Sequence, residues 1–184
     1  MIEAEYKARL ADPIGVRERL DELAEREVVS YFDTYFDLPD RSLGAQGREL
    51  RVRSVVGTEG STHVLTFKDA AVDAATGSKP EYETVVAERD STEAIVRGLG
   101  YVPVISFTKR CENYRFTAVN REIVASLVTV PEIEGVFLEL ETLAPPDDLN
   151  RALAALREVL SGLGVGADQF TTELYTDAVS RSRG

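Results

Sequence analysis

The 184-residue chain has one cysteine, one histidine and a deficit of basic residues, with 21 lysines and arginines against 32 aspartates and glutamates. A lone Cys111 cannot close an internal disulfide and is consistent with a reducing compartment. No activating partner for it can be identified, so it reads as a small wall residue rather than a nucleophile. A lone His63 leaves nothing from which to build a Ser-His-Asp or Cys-His set, and a structural place on a strand edge beside Thr62 is expected. The net charge of −11 speaks against a nucleic-acid backbone as the main partner, because such affinity rests on many Lys and Arg contacts to phosphate. A locally cationic pocket remains compatible with it. No apolar run approaches the ~20 residues of a membrane span, so no membrane partner is expected. The first residues form a charged strand rather than a basic segment, apolar stretch and small-residue cleavage site, which points to the cytoplasm.

What is present is enough for one domain, residues 1–184, with a hydrophobic fraction of 43% and a charged fraction of 29%. Asp12-Pro13 signals a helix start, and Val16, Leu20 and Leu23 extend it over about 13–26. Segments 28–38, 48–57, 62–69 and 79–88 read as strands, with residues 70–78 as a flexible loop. Asp90 and Glu93 open a short helix ending near Gly98 to Gly100, and three further strands lie at about 102–118, 121–130 and 135–144. Pro145-Pro146 ends this run. Asp147 then caps a helix carrying Leu149, Leu153, Leu156, Leu160 and Leu163 on one stripe, and Asp168 is expected to start a last helix. The fold class is α+β with a largely antiparallel sheet.

Charge recurs at alternate strand positions, where half-buried strands ordinarily place apolar groups. Glu3, Glu5 and Lys7 share one face of the first strand. Arg51 and Arg53 share one on the third, Thr66 and Lys68 on the fourth, Glu81 and Glu83 on the fifth, and Glu139 and Glu141 on the eighth, with Lys109 on the sixth. Between them stand Leu50, Val52, Leu65, Phe67, Leu138 and Leu140. A sheet with one face in water gives the same alternation strand by strand. A closed barrel, apolar outside under helices and charged within, accounts for the separation of acidic and basic strands. Oxygen ligands of this kind suit Mg²⁺ or Mn²⁺, and arginine and lysine suit phosphate oxygens, so metal plus polyphosphate is the chemistry these residues fit.

The ordered set Glu3-x-Glu5-x-Lys7, YFDTYFD at 31–37, LRVR at 50–53, LTFK at 65–68, KPEYE at 79–83, Lys109 and FLELE at 137–141 resembles the CYTH family, the triphosphate tunnel metalloenzymes, over nearly the whole chain. The resemblance implies an eight-stranded antiparallel β-barrel, the triphosphate tunnel, with flanking helices. It implies Glu3, Glu5, Glu139 and Glu141 around Mg²⁺ or Mn²⁺, and Lys7, Arg51, Arg53, Lys68 and Lys109 as phosphate contacts. Lys79 stands in place of a family arginine before Glu81 and Glu83, which add a further acidic wall. Lys7, Lys109 and Glu5 are the residues expected to carry catalysis.

The chain departs from the family pattern at two places. Cys111 occupies an expected arginine position, for which Arg115 could supply the inward charge, and Val128-Thr129-Val130 aligns with a run that carries an aspartate, for which Glu132 or Glu134 could substitute. Tyr175 resembles a terminal tyrosine of the family and is expected to pack. Three activities follow from the resemblance: a class IV adenylyl cyclase making cyclic AMP and pyrophosphate from ATP, a triphosphatase acting on inorganic or organic triphosphate, and a binding module without turnover. The partner is a nucleoside triphosphate or inorganic triphosphate, and a homodimer is compatible with the pattern.

Overall fold

The computed structural model describes residues 1–184. Eight antiparallel strands close into a barrel in the order β1-β5-β4-β3-β2-β6-β7-β8. They are β1 (Ile2–Arg9), β2 (Arg26–Asp37), β3 (Glu49–Gly57), β4 (Gly60–Lys68), β5 (Lys79–Val86), β6 (Val102–Ala118), β7 (Arg121–Thr129) and β8 (Phe137–Ala144). The helices are α1 (Pro13–Leu23), α2 (Ser42–Ala45), α3 (Arg89–Gly98), α4 (Leu149–Gly162) and α5 (Tyr175–Ser182). β1 pairs with β8 along its whole length, Glu5 opposite Glu141 and Lys7 opposite Glu139. The β1–β5 seam is short, with Ile2 opposite Pro80 and Glu3 opposite Lys79. Pro80 has no N–H to give, which suits a seam of this kind.

Period-two alternation puts the two residue sets on opposite sides of the barrel wall. Ala4, Tyr6 and Ala8 of β1 and Leu138 and Leu140 of β8 face outward into the main core, where the α4 stripe of Leu153, Leu156, Leu160 and Leu163 covers them. Leu50, Val52 and Leu65 are covered by Val96 of α3. Asp12 caps α1 by accepting from the Gly15 N–H at 3.0 Å, with Pro13 in the first turn where its missing N–H costs nothing.

Four expectations change. α1 ends at Leu23, not near Arg26, and an additional single turn, α2, is held by Asp37, whose carboxylate accepts from the Leu38, Leu43 and Gly44 N–H groups. Residues 167–169 form only a 3₁₀ turn, and the last helix starts at Tyr175. The intervening chain lies along β1, with Phe170 bridged to Ala8 and the Thr171 N–H donating to the Lys7 carbonyl, so long-range pairing overrides the local capping signal of Asp168. The 70–78 segment is pinned rather than loose: Asp73 accepts from the Ala75 and Thr76 N–H groups, and Ser78, fully buried, accepts from the Glu5 N–H at 3.2 Å. His63 lies on an interior strand, between β3 and β5, with Nδ1 2.9 Å from the Ser54 hydroxyl. No helix is long and apolar enough to cross a membrane.

Candidate active site

The inward-facing residues of the barrel enclose two cavities that share Glu3, Glu5, Arg51, Lys68, Lys109 and Glu139 as a common waist. The narrow chamber, of about 70 Å³, is bounded by Lys7, Tyr35, Glu49, Lys79 and, from the start of α5, Tyr175. The wide chamber, of about 180 Å³, runs past Arg53, Glu81 and Glu83 to Arg115, and opens there into an outer cavity of about 760 Å³. Every residue that the sequence nominated as ligand or phosphate contact therefore lines one enclosed space. Arg115 reaches the mouth of the wide chamber. Glu132 and Glu134 do not reach the tunnel: both line an outer groove beside α5, and Glu132 pairs with Arg183 at 2.6 Å.

Inside the waist, charges meet in pairs. Lys68 bridges Glu3 and Glu81, approaching Glu81 Oε2 at 2.8 Å without hydrogen-bond alignment. Lys109 lies 3.7 Å from Glu139, and Lys79 pairs with Glu49. Arg53 grips Asp33 with both ends of its fork, at 2.7 and 2.8 Å, and its guanidinium covers the Tyr31 ring at 4.1 Å. The Lys7 and Lys109 ammonium groups lie over the Tyr175 ring, 4.7 and 4.2 Å from its centre. Arg51, 7% exposed, donates from Nη2 to Thr66 at 3.2 Å and lies 3.8 Å from Glu83, but its buried Nε–H has no acceptor.

Burial, the nearby ammonium groups and the crowding of carboxylates together set the acidity of the four glutamates. Burial pushes Glu3 and Glu139 upward, but Lys68 together with hydrogen bonds to Glu81 and Glu141 outweighs it at Glu3, and Lys109, Lys7, Lys68 and Arg53 together outweigh it at Glu139, so both carboxyls end below their usual range. Burial prevails at Glu5, with Glu139 adding to it against Lys68, and at Glu141, where the Glu3 charge adds to it; both are held above their usual range. Burial lowers Lys7 against the pull of Glu139 and Glu5. The donors are all carboxylate oxygens on two adjacent strands, and at two of them burial and neighbouring carboxylates oppose ionisation more than the lysines favour it, which a hard divalent cation would relieve. No three acidic side chains converge into a ready-made cage, so the set suits an ion that completes its shell with substrate phosphate oxygens and water.

The two positions where the chain departs from the expected pattern are direct cross-strand partners, Cys111 opposite Val128. Both are buried in an apolar cluster with Val130, Phe107, Phe137, Tyr35 and Tyr175. Burial next to Glu139 drives the Cys111 thiol up to about 12, which makes it an inert wall residue. Sequence reasoning missed Tyr31, Asp33, Glu49, Asn113 and Ser126. In YFDTYFD both faces of β2 carry aromatics and a polar residue, so alternation gave no sign of which face turns inward. The pairing Asp33 opposite Arg53 resolves it.

The family model for the CYTH domain matches residues 1–175. The chain belongs to the CYTH family. Among solved structures this CYTH protein is similar to PH1819 of Pyrococcus horikoshii OT3, at 25% identity and a TM-score of 0.83, covering 98% of this chain and 99% of that one. It is similar to a Vibrio parahaemolyticus protein described as a "putative adenylate cyclase", at 18% identity and a TM-score of 0.78, covering 98% of each chain. It is also similar to HpAC1 from Hippeastrum, at 15% identity and a TM-score of 0.66, covering 98% of this chain and 96% of that one. No curated protein matches the chain. CYTH tunnel enzymes bind triphosphate substrates and use divalent metal ions, and the closed barrel described here is that tunnel.

Proposed function

We propose that this CYTH protein is a class IV adenylyl cyclase, converting ATP to cyclic AMP and pyrophosphate within the tunnel. The observation that carries an anionic substrate is Arg51: a guanidinium buried at the waist with a free Nε–H is an unmet donor, which costs about 1–3 kcal/mol until an acceptor such as a phosphate oxygen arrives. The two unequal chambers support a direction. The narrow one, with Lys7, Lys79 and Lys109, suits the β- and γ-phosphates but has no room for an organic group. The wide one leads past Arg53 and Arg115 to an outer cavity large enough for a nucleoside.

In that arrangement the ribose 3′ hydroxyl attacks the α-phosphorus and gives up its proton to water in the wide chamber, the bond to the bridging oxygen breaks, and pyrophosphate leaves with the electron pair. Lys7 and Lys109, pinned by the Tyr175 ring, hold the charge that builds on the leaving group, and Arg51 and Arg53 fix the phosphate chain in line. Mg²⁺ or Mn²⁺ held by Glu3, Glu5, Glu139 and Glu141 would neutralise phosphate charge. The aromatic cluster around Tyr35, Phe107, Phe137 and Tyr175 keeps bulk water from the narrow end.

A second reading, triphosphatase, is favoured by the two inner chambers, which together would hold an inorganic triphosphate without using the outer cavity. The Hippeastrum relative has a dominant triphosphatase activity. Incubation with ATP, GTP, inorganic triphosphate and thiamine triphosphate, each with Mg²⁺ or Mn²⁺, separates the two when cyclic nucleotide, pyrophosphate and phosphate are read independently. Cyclic AMP and pyrophosphate in equal amounts are expected. Phosphate released faster from inorganic triphosphate than from ATP, with no cyclic AMP, would overturn cyclisation in favour of hydrolysis.

A further inference from the structure

The inner wall changes character between the waist and Arg115. Most of the wide chamber is lined by charge; its uncharged lining residues are Tyr31 of β2 and Val124 and Ser126 of β7, with Lys109 and Arg115 of β6 as the cross-strand neighbours of Tyr31 and Val124. Behind Tyr31 stands Asn113, 4% exposed, whose Nδ2 donates to the Tyr31 hydroxyl oxygen at 2.7 Å and whose Oδ1 has no partner. Ser126 is the direct cross-strand partner of Asn113. With Arg53 over its ring and Asn113 at its oxygen, Tyr31 is held from two sides. A phenol oxygen that already accepts one hydrogen bond turns its own proton elsewhere, and here the cavity is beside it. Burial keeps that proton in place at neutral pH.

A fixed neutral donor is a weak competitor for phosphate beside arginines and lysines, because charge-assisted hydrogen bonds are roughly twice as strong. It is well matched to a hydroxyl, which can accept from Tyr31 and exchange a second bond with Ser126. We propose that Tyr31, Asn113 and Ser126 form a subsite for the hydroxyl-bearing sugar of a nucleoside triphosphate, beside the phosphate anchors Arg53 and Arg115. This rests on the reading of the tunnel as a triphosphate site, and it gives the tunnel a means of telling a nucleotide from inorganic triphosphate. Tyr31 and Ser126 touch the sugar, while Asn113 positions Tyr31.

The test is calorimetric binding, to the whole protein with Mg²⁺, of the unreactive carbon-bridged analogues of ATP and of inorganic triphosphate. Tyr31→Phe removes one oxygen and is expected to weaken the ATP analogue roughly tenfold while moving the inorganic analogue less than about twofold, the loss of one well-placed hydrogen bond. Ser126→Ala, on a different strand, is expected to act in the same sense. Equal weakening of both ligands, or no change in either, overturns the subsite, as does failure of the unaltered protein to bind either analogue. Selective loss of the ATP analogue in a protein that makes no cyclic AMP upholds the subsite and defeats cyclisation alone. Cyclic AMP formation with no selective loss does the reverse.

Discussion

Asp33 and Arg53 face each other across β2 and β3, and their pairing decides how stability responds to acid. Asp33 is 1% exposed; burial pushes its carboxyl up, but the Arg53 guanidinium outweighs it and brings it from 3.8 to about 2. Its folded value is thus depressed, so the stabilisation is complete above the unfolded value and is lost as pH falls from about 4 to about 2. The contribution is on the order of 2 kcal/mol. In urea melts, wild type is expected to exceed Asp33→Asn near pH 6, with the gap closing toward pH 2; a gap independent of pH would show that the carboxylate charge is not what stabilises. None of this was legible beforehand, since the partner of Asp33 is set by register. Cys111 and Val128 show the same limit. Their sequence separation hides that they are cross-strand partners in one apolar cluster.

Elements were readable where a local signal and a tertiary need agree. The Asp12-Pro13 start of α1 and the leucine stripe of α4 are examples, for each is written in consecutive turns and each ends up against the barrel's apolar outer face. The start of α5 was not, because residues 167–171 trade a cap for bridging and backbone bonds to β1. That displacement sets Tyr175 at the first turn of α5, over the narrow chamber, where it meets Phe137 edge-on at 5.4 Å and covers Lys7 and Lys109. Its hydroxyl is buried without a hydrogen-bond partner, pointing toward Glu139 and held firmly protonated by burial and that carboxylate's charge. The ring, not the oxygen, is therefore what α5 contributes. Tyr175→Phe is expected to match wild type within about 1 kcal/mol, since removing an unsatisfied buried hydroxyl sacrifices no bond. Tyr175→Ala is expected to lose about 3–5 kcal/mol in denaturant melts. The opposite order would assign the hydroxyl a bond that the geometry does not show.

At the scale of the whole molecule, closure was legible in the separation of acidic from basic strands, which a sheet with one wet face does not require, whereas strand order and the thin β1–β5 seam were not, since alternation carries no information about neighbours. Closure is also what brings carboxylates of β1 and β8 together, Glu5 directly opposite Glu141, inside the barrel. The carboxyls divide accordingly: Glu5 and Glu141 are held above their ordinary range and give up protons less readily, while Glu3 and Glu139, nearer the ammonium groups, fall below it. A divalent cation entering among them must displace those protons, because only the ionised carboxyl is a ligand. Metal affinity is therefore expected to rise with pH above the usual carboxylate range and to level off once Glu5 and Glu141 are ionised. Titration of the full chain with Mn²⁺ in two buffers of different ionisation enthalpy measures the proton release as the difference in apparent heat. Glu141→Gln, which removes a proton-bearing ligand, is expected to reduce both the release and, by on the order of tenfold, the affinity, which is tuned by the count of ligand charges. Binding whose affinity and proton release are the same in wild type and Glu141→Gln would place the ion elsewhere than between β1 and β8.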